Sequence, residues 1–194
     1  MALNICVLRS GGEYTTEHVQ WLARQVPDLH CLSDVDIEGV KTIPMGYFWP
    51  GWWSKLELFR PDIEEDLFFF DLDTVVIDYP KVEPKQSLML RDFYRPERPG
   101  SGLMYIKHED KAHVWGAWIK GPDTKYKPTR LHHGDQGFLW DHFECGRWQD
   151  DYPGLVQSYK ADKLELKTPT AAIVCFHGRP RPWKARGKWI PNVH

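Results

Sequence analysis

In the segment F-F-F-D-L-D-T-V-V-I-D, three phenylalanines lead directly into Asp71 and Asp73. A short apolar run of this kind reads as a fully buried strand, Leu67 to Phe70, that delivers both carboxylates at its carboxyl end. Residues two apart in extended chain point to the same side, so the pair faces one point. Two carboxylates held together repel unless a positive charge lies between them. A divalent cation meets that need, and hard oxygen donors suit manganese or magnesium, ions that commonly also bind a substrate diphosphate. The plainer reading makes one aspartate a turn residue and the other a cap.

Other residue groups carry related chemistry. The turn Ser10-Gly11-Gly12 directly follows the first apolar run, so backbone there can approach a nucleotide closely, with an anion-favouring helix N-terminus behind it. Late in the chain, F-H-G-R-P-R-P-W sets His177 after another apolar run. Arg179, Arg181, Lys184, Arg186 and Lys188 follow with no acidic residue to the end. That cluster fits a diphosphate neighbour, a solvated tail, or contact with an anionic acceptor, nucleic acid included. Ten Trp, nine Phe and eight Tyr exceed what core filling needs, and such rings make flat contact surfaces for sugars or bases as well as core.

The elements that must position these groups alternate. Leu3 to Leu8 reads as a strand, Thr15 to Gln25 as a helix, and Leu29 to Leu32 and Val40 to Ile43 as the next parallel strands. G-W-W-S-K-L-E-L-F-R-P is a short helix with Ser54 as its cap. After Leu67 to Phe70 and Val75 to Ile77 comes a proline-rich stretch, Pro80 to Arg98, read as a loop around one strand at Ser87 to Leu90. A strand at Gly102 to Ile106, a helix at Lys111 to Ile119, a Gly/Pro/Lys loop at Gly121 to Thr129, a helix at Asp135 to His142 and a strand at Ala171 to Phe176 complete the pattern. Such alternation predicts a single α/β domain over 1–194, Rossmann-like, with a mainly parallel central sheet flanked by helices and a ligand site at the strands' carboxyl ends.

Two enzyme families share the D-x-D string. F-D-L-D-T-V resembles the first motif of haloacid dehalogenase-type phosphatases, which carry it on their first strand; here about three strands precede it. The chain more closely resembles GT-A-fold glycosyltransferases, in particular the family-eight type. The resemblance rests on ordered motifs: V-L-R-S-G-G-E-Y at Val7 to Tyr14, G-W-W-S-K-L-E-L-F at Gly51 to Phe59, D-L-D-T at Asp71 to Thr74, S-G-L-M at Ser101 to Met104, G-D-Q at Gly134 to Gln136 and F-H-G-R-P-R-P-W at Phe176 to Trp183.

That resemblance implies a hexosyltransferase using a nucleotide-sugar donor, a UDP-sugar, in which Asp71, Asp73 and His177 hold manganese, with magnesium as the alternative, against the donor diphosphate. Leu72, Gly178 and Arg181 would line the same diphosphate; Arg stands where Lys is usual and forms a fork to phosphate oxygens. Ser10, Gly11 and Gly12 would cradle the nucleotide, Tyr14 would stack on the base, and Asp34 would meet a base N–H or a ribose hydroxyl. Lys55 would present a cation to the phosphates or sugar. Asp135 and Gln136 would face the transferred sugar and the acceptor. Gly100 replaces the family's usual Asn, removing one donor-sugar contact. The acceptor stays open: a glycan, a lipid-linked sugar, a protein or a modified nucleic-acid base. A sugar- or nucleotide-binding relic of the same fold is the non-catalytic alternative.

A net charge of −2 argues against a surface built to track nucleic acid. Cys6, Cys31, Cys145 and Cys175 form no C-x-x-C pair and sit mostly in apolar runs, so they are expected as buried thiols of a reducing compartment. No apolar run is long enough to span a bilayer and the N-terminus lacks a signal-peptide pattern, which predicts a cytoplasmic protein.

Overall fold

The computed structural model describes residues 2–120 and 134–193. The loop expected at Gly121 to Thr129, and the stretch onward to His133, lie outside the described residues.

The chain opens with β1 (Leu3–Leu8), α1 (Thr16–Ala23), β2 (His30–Ser33) and β3 (Lys41–Pro44), as the periodicity predicts. A 3-10 helix, Gly51–Phe59, leads to β4 (Leu67–Phe70), and β5 (Thr74–Val76) follows after a turn. Then come β6 (Leu88–Arg91), β7 (Pro99–Ile106), α2 (His108–Ile119) and α3 (Asp135–His142). The last elements are β8 (Gly146–Arg147), α4 (Trp148–Asp151), β9 (Val156–Ser158) and β10 (Ile173–Cys175).

Seven strands form one sheet in the order β3-β2-β1-β4-β7-β6-β8. The half around β1 is parallel, whereas β7 runs antiparallel to both β4 and β6. Successive chain moves go from β1 out to β3 and then return to place β4 on the other side of β1. Parallel sheets bind ligands at such a switch point, outside the carboxyl ends of the strands. β1 and β4 deliver the Arg9 turn and Asp71 to that spot.

Both faces of the sheet are covered, which explains the uninterrupted apolar strands. Along β4, Phe68 and Phe70 pack toward α1 and the smaller sheet, while Leu67 and Phe69 pack toward the 3-10 helix, α2 and α3. Each of these buried side chains contributes about 1.5–3 kcal/mol of burial.

Three expectations change. Val75–Ile77 and Ala171–Phe176 do not extend the main sheet; β5 and β10 pair with β9 in a separate three-stranded sheet, β5-β10-β9. Ser54 does not cap the 3-10 helix, which Pro50 precedes; its hydroxyl donates to the Gly51 carbonyl from inside the helix. β8, α4 and β9 escaped the periodicity because none exceeds four residues.

The basic tail is not a free solvated segment. Trp21 Nε1 donates to the Pro191 carbonyl at 3.0 Å, Arg24 donates to Asn192 and Val193, and Trp183 meets Trp21 edge-on. These contacts fix the tail against α1 and carry Arg181 back to the carboxyl end of the sheet. Among the described residues no helix is long and apolar enough to cross a membrane. All four cysteines are free thiols, three of them buried.

Candidate active site

A cleft of about 730 Å³ opens at the switch point. Asp71, Leu72 and Asp73 form one wall, Gly12 and Tyr14 a second, Lys55, Asp135 and Gln136 a third, and His177, Gly178 and Arg181 a fourth. Cavities of this size hold small ligands and cofactors. Most of the residues singled out in the sequence therefore converge on one space, although they come from five separate chain segments.

The two aspartates reach the cleft differently from an extended pair. β4 stops at Phe70, and Thr74 N–H donates to the Asp71 carbonyl at 3.0 Å, so a turn separates the carboxylates. The turn reading of Asp71 is realised, and both carboxylates still line the cleft. The side chain of Asp71 is 32% exposed and accepts from Lys55 Nζ at 2.9 Å. The side chain of Asp73 is 3% exposed; its Oδ2 accepts from Tyr14 Oη at 3.1 Å and from Arg181 Nη1. The repulsion anticipated between them is met by two protein cations, one on each carboxylate.

Burial and the neighbouring Asp71 push the Asp73 carboxyl up to about 7, against the pull of Arg181 and Lys55. Burial alone would lower Lys55, but Asp71 and Asp135 outweigh it and hold the ammonium charged. Lys55 Nζ stands 3.9 Å from Asp135 Oδ2, and Ser101 Oγ donates to that same oxygen at 2.5 Å. Burial raises the Asp135 carboxyl despite Lys55 and Ser101. Asp135 therefore presents a buried carboxyl at the start of α3, close to the cation that also serves Asp71.

Whether these residues suit a divalent ion turns on unmet oxygens. Asp73 Oδ1 is buried without a hydrogen-bond partner, and the Asp71 carboxylate is reachable from the cleft. No group of three or more His, Cys, Asp or Glu among the described residues is set to hold a metal. Magnesium-type ions are usually held by one or two carboxylates with substrate phosphates and water supplying the rest, so two aspartates meet that requirement. His177 lines the same cleft, but its Nε2 lies 2.6 Å from Ser158 Oγ and its ring stacks on Phe93 at 5.6 Å. Burial, with Lys160, lowers its pKa against the pull of Asp92 and so favours the neutral ring, the form that binds metals.

Three nucleotide-side residues stand apart from the expected contacts. Ser10, Gly11 and Asp34 are not among the residues lining the cleft. Asp34 instead accepts from Ser10 N at 2.7 Å, from Ser10 Oγ at 2.6 Å and from Arg9 Nη1. The ring of Tyr14 already carries the Arg181 guanidinium at 5.1 Å and meets Trp183 edge-on. Sequence reasoning passed over Arg9, which does line the cleft, lies 5.5 Å from the exposed Phe48 ring, and buries an unpartnered Nε. Its signal was present: it immediately precedes the Ser-Gly-Gly turn. Glu13, another omission, accepts from Arg181 Nη2 at 2.9 Å and so holds the guanidinium from the side opposite Asp73.

No protein-family model and no curated protein sequence matches the chain. Its fold is similar to that of solved glycosyltransferases. The glycosyltransferase GlyE of Streptococcus pneumoniae TIGR4 aligns with TM-score 0.59 at 13% identity over 94% of this chain, and its apo form with 0.56 at 14%. This chain spans 56% of the length of GlyE. A glycosyltransferase involved in glycosylation of the PBCV-1 major capsid aligns with TM-score 0.54 at 10% identity, over 90% of this chain and 93% of that one. The chain thus has a glycosyltransferase fold, with its α/β sheet matching these neighbours.

Proposed function

We propose that the chain is a single-domain hexosyltransferase that moves a sugar from a nucleoside diphosphate donor, a UDP-sugar, to an acceptor hydroxyl. The observation that carries this reading is the placement of Asp73: buried at the cleft wall, one oxygen held by Arg181 and Tyr14, the other without a partner, beside the reachable Asp71. Arg181 and Lys55 supply cations for the donor phosphates, and Arg's fork suits phosphate oxygens. In this reading both guanidinium and ammonium exchange part of their carboxylate contact for phosphate when the donor binds.

Asp71 and Asp73 would hold manganese, or magnesium, with His177 as a further ligand once it leaves Ser158. When bound, the ion would supply charge stabilisation to the departing diphosphate. Arg9 and Gly12 contact the nucleoside end, with Asp34 and Ser10 holding Arg9 in place. Gln136 orients the transferred sugar, and Asp135 takes or gives the acceptor proton. The phosphatase reading loses support from the topology: the D-x-D string follows the fourth strand, and the similar folds are glycosyltransferases.

Incubating the full chain with manganese and a panel of nucleotide-sugars, and measuring nucleoside diphosphate release, tests the reading. Release that depends on Asp73 supports it. Inorganic phosphate release from phosphoesters would favour the phosphatase, and nucleotide binding without any turnover would favour a non-catalytic relic.

A further inference from the structure

Beside the cleft lies a second cavity of about 390 Å³, between α3 and the segment joining β6 to β7. It shares Asp92 and Gln136 with the cleft, so the two spaces adjoin at the residue next to Asp135. Tyr94 and Trp140 line it and are 61% and 44% exposed. Large rings left this open offer flat faces on which a sugar ring can lie.

Its charges are unbalanced. Among the described residues, Arg95 and Arg98 line it against a single carboxylate, Asp92. That carboxylate is committed to its own turn, where Oδ1 accepts from Tyr94 N and Arg95 N, each at 2.8 Å. Arg98 lies over the Trp140 ring at 5.6 Å, and its Nη1 is buried without a hydrogen-bond partner. Its ion-pair contact is with Glu97, through Nε at 3.5 Å. A guanidinium fixed on an aromatic face with an unmet donor is suited to an anion, and the adjacent rings to a saccharide.

We propose that this cavity is the acceptor subsite and takes a saccharide carrying a phosphate or carboxylate group, its ring on Trp140 or Tyr94 and its anionic group on Arg98 and Arg95. The acceptor hydroxyl passes Gln136 toward Asp135. In the transfer, the hydroxyl oxygen bonds to the donor's anomeric carbon and the bond from that carbon to the diphosphate oxygen breaks. The electron pair leaves with the nucleoside diphosphate, and the hydroxyl proton goes to the Asp135 carboxylate. The assignment as acceptor rests on the cleft being the donor site; the recognition of an anionic sugar does not.

NMR titration of the full chain with glucose, glucose 6-phosphate and glucuronate tests it. Both anionic probes should bind at least about tenfold more tightly than glucose, the scale of one charge-assisted hydrogen bond. The exposed Arg95→Gln and the half-buried Arg98→Gln should each reduce that preference, and Trp140→Ala should weaken all three probes. Tighter binding of one anionic probe than the other identifies the acceptor's anion as phosphate or carboxylate. Uridine diphosphate with manganese should bind these variants as it binds the parent, since none of the three residues lines the cleft. Equal affinity for all probes, or a preference that survives Arg95→Gln combined with Arg98→Gln, overturns the subsite while nucleotide binding stands. Anionic-sugar binding in a chain that binds no uridine diphosphate overturns the acceptor assignment through the donor reading instead.

Discussion

Arg181 Nη1 donates to Asp73 Oδ2, an ion pair that spans 108 residues of sequence. The tail that carries Arg181 is fixed by Trp183 against Trp21 and by main-chain carbonyls accepting from Trp21 and Arg24. The guanidinium is also gripped by Glu13, so it is aimed by two carboxylates at once. An arginine held this way is pre-organised, and little of its rotamer freedom is left to lose when a phosphate replaces one partner.

Asp73→Asn keeps the shape of the side chain and an acceptor for Tyr14 while removing the charge. Nucleoside diphosphate release from the best nucleotide-sugar should fall by roughly 10²–10³-fold, the scale at which losing one electrostatic group at a reacting centre slows turnover. Circular dichroism should show the fold retained. Unchanged release would sink the donor-site reading.

Asp34→Asn tests the support beneath Arg9. With the charge gone, Arg9 loses its ion-pair partner and the Ser10 turn loosens. KM for the donor should rise about tenfold with kcat nearly constant, because a positioning contact to the nucleoside end is made equally in ground and transition states. A change confined to kcat would mean that Arg9 acts elsewhere.

Gly134→Ala addresses the residue just before α3. Gly134 has φ +57°, and a Cβ there would fall 2.1 Å from Trp52 Nε1. The strained backbone and the clash should together cost about 1–3 kcal/mol of stability, read by urea denaturation. Combining it with Trp52→Ala should recover part of that loss, leaving the backbone share. Full additivity of the two changes would show that the indole is not the obstacle.

Lys111 gives a pH dependence remote from the cleft. Its side chain is buried, and Nζ donates to the Ile63 and Glu65 carbonyls at 2.7 and 2.6 Å. Burial lowers its pKa from 10.5 to about 8, with Glu65, Asp66 and Asp62 opposing. Between those values the unfolded chain binds more protons than the folded one, so this group makes stability rise with pH across that window. Relative to Lys111→Met, the parent should gain roughly 1–3 kcal/mol between about pH 7 and about pH 10, measured by urea midpoints. A constant difference across the window would refute the burial penalty.

The sequence by itself determined the strand and helix order through β7 and α3, because each of those elements carries an apolar period long enough to read. It also determined that Asp71 and Asp73 leave a buried strand at its carboxyl end, since three phenylalanines buried on both faces leave the chain no other direction. Local signals could not decide partners. The separate sheet of β5, β9 and β10 depends on three-residue strands that only pairing stabilises, and β7 begins at Pro99, three residues before the strand expected from Gly102. The neighbours of Tyr14 and Asp34 were likewise set by tertiary packing, which laid Arg181 over the Tyr14 ring and turned Asp34 onto Ser10 and Arg9. Composition lists which charges a chain owns. Which cation meets which carboxylate is set by distances that exist only after the sheet, the 3-10 helix and the tail have packed, because Coulomb and hydrogen-bond energies fall off over a few ångströms that sequence separation does not measure.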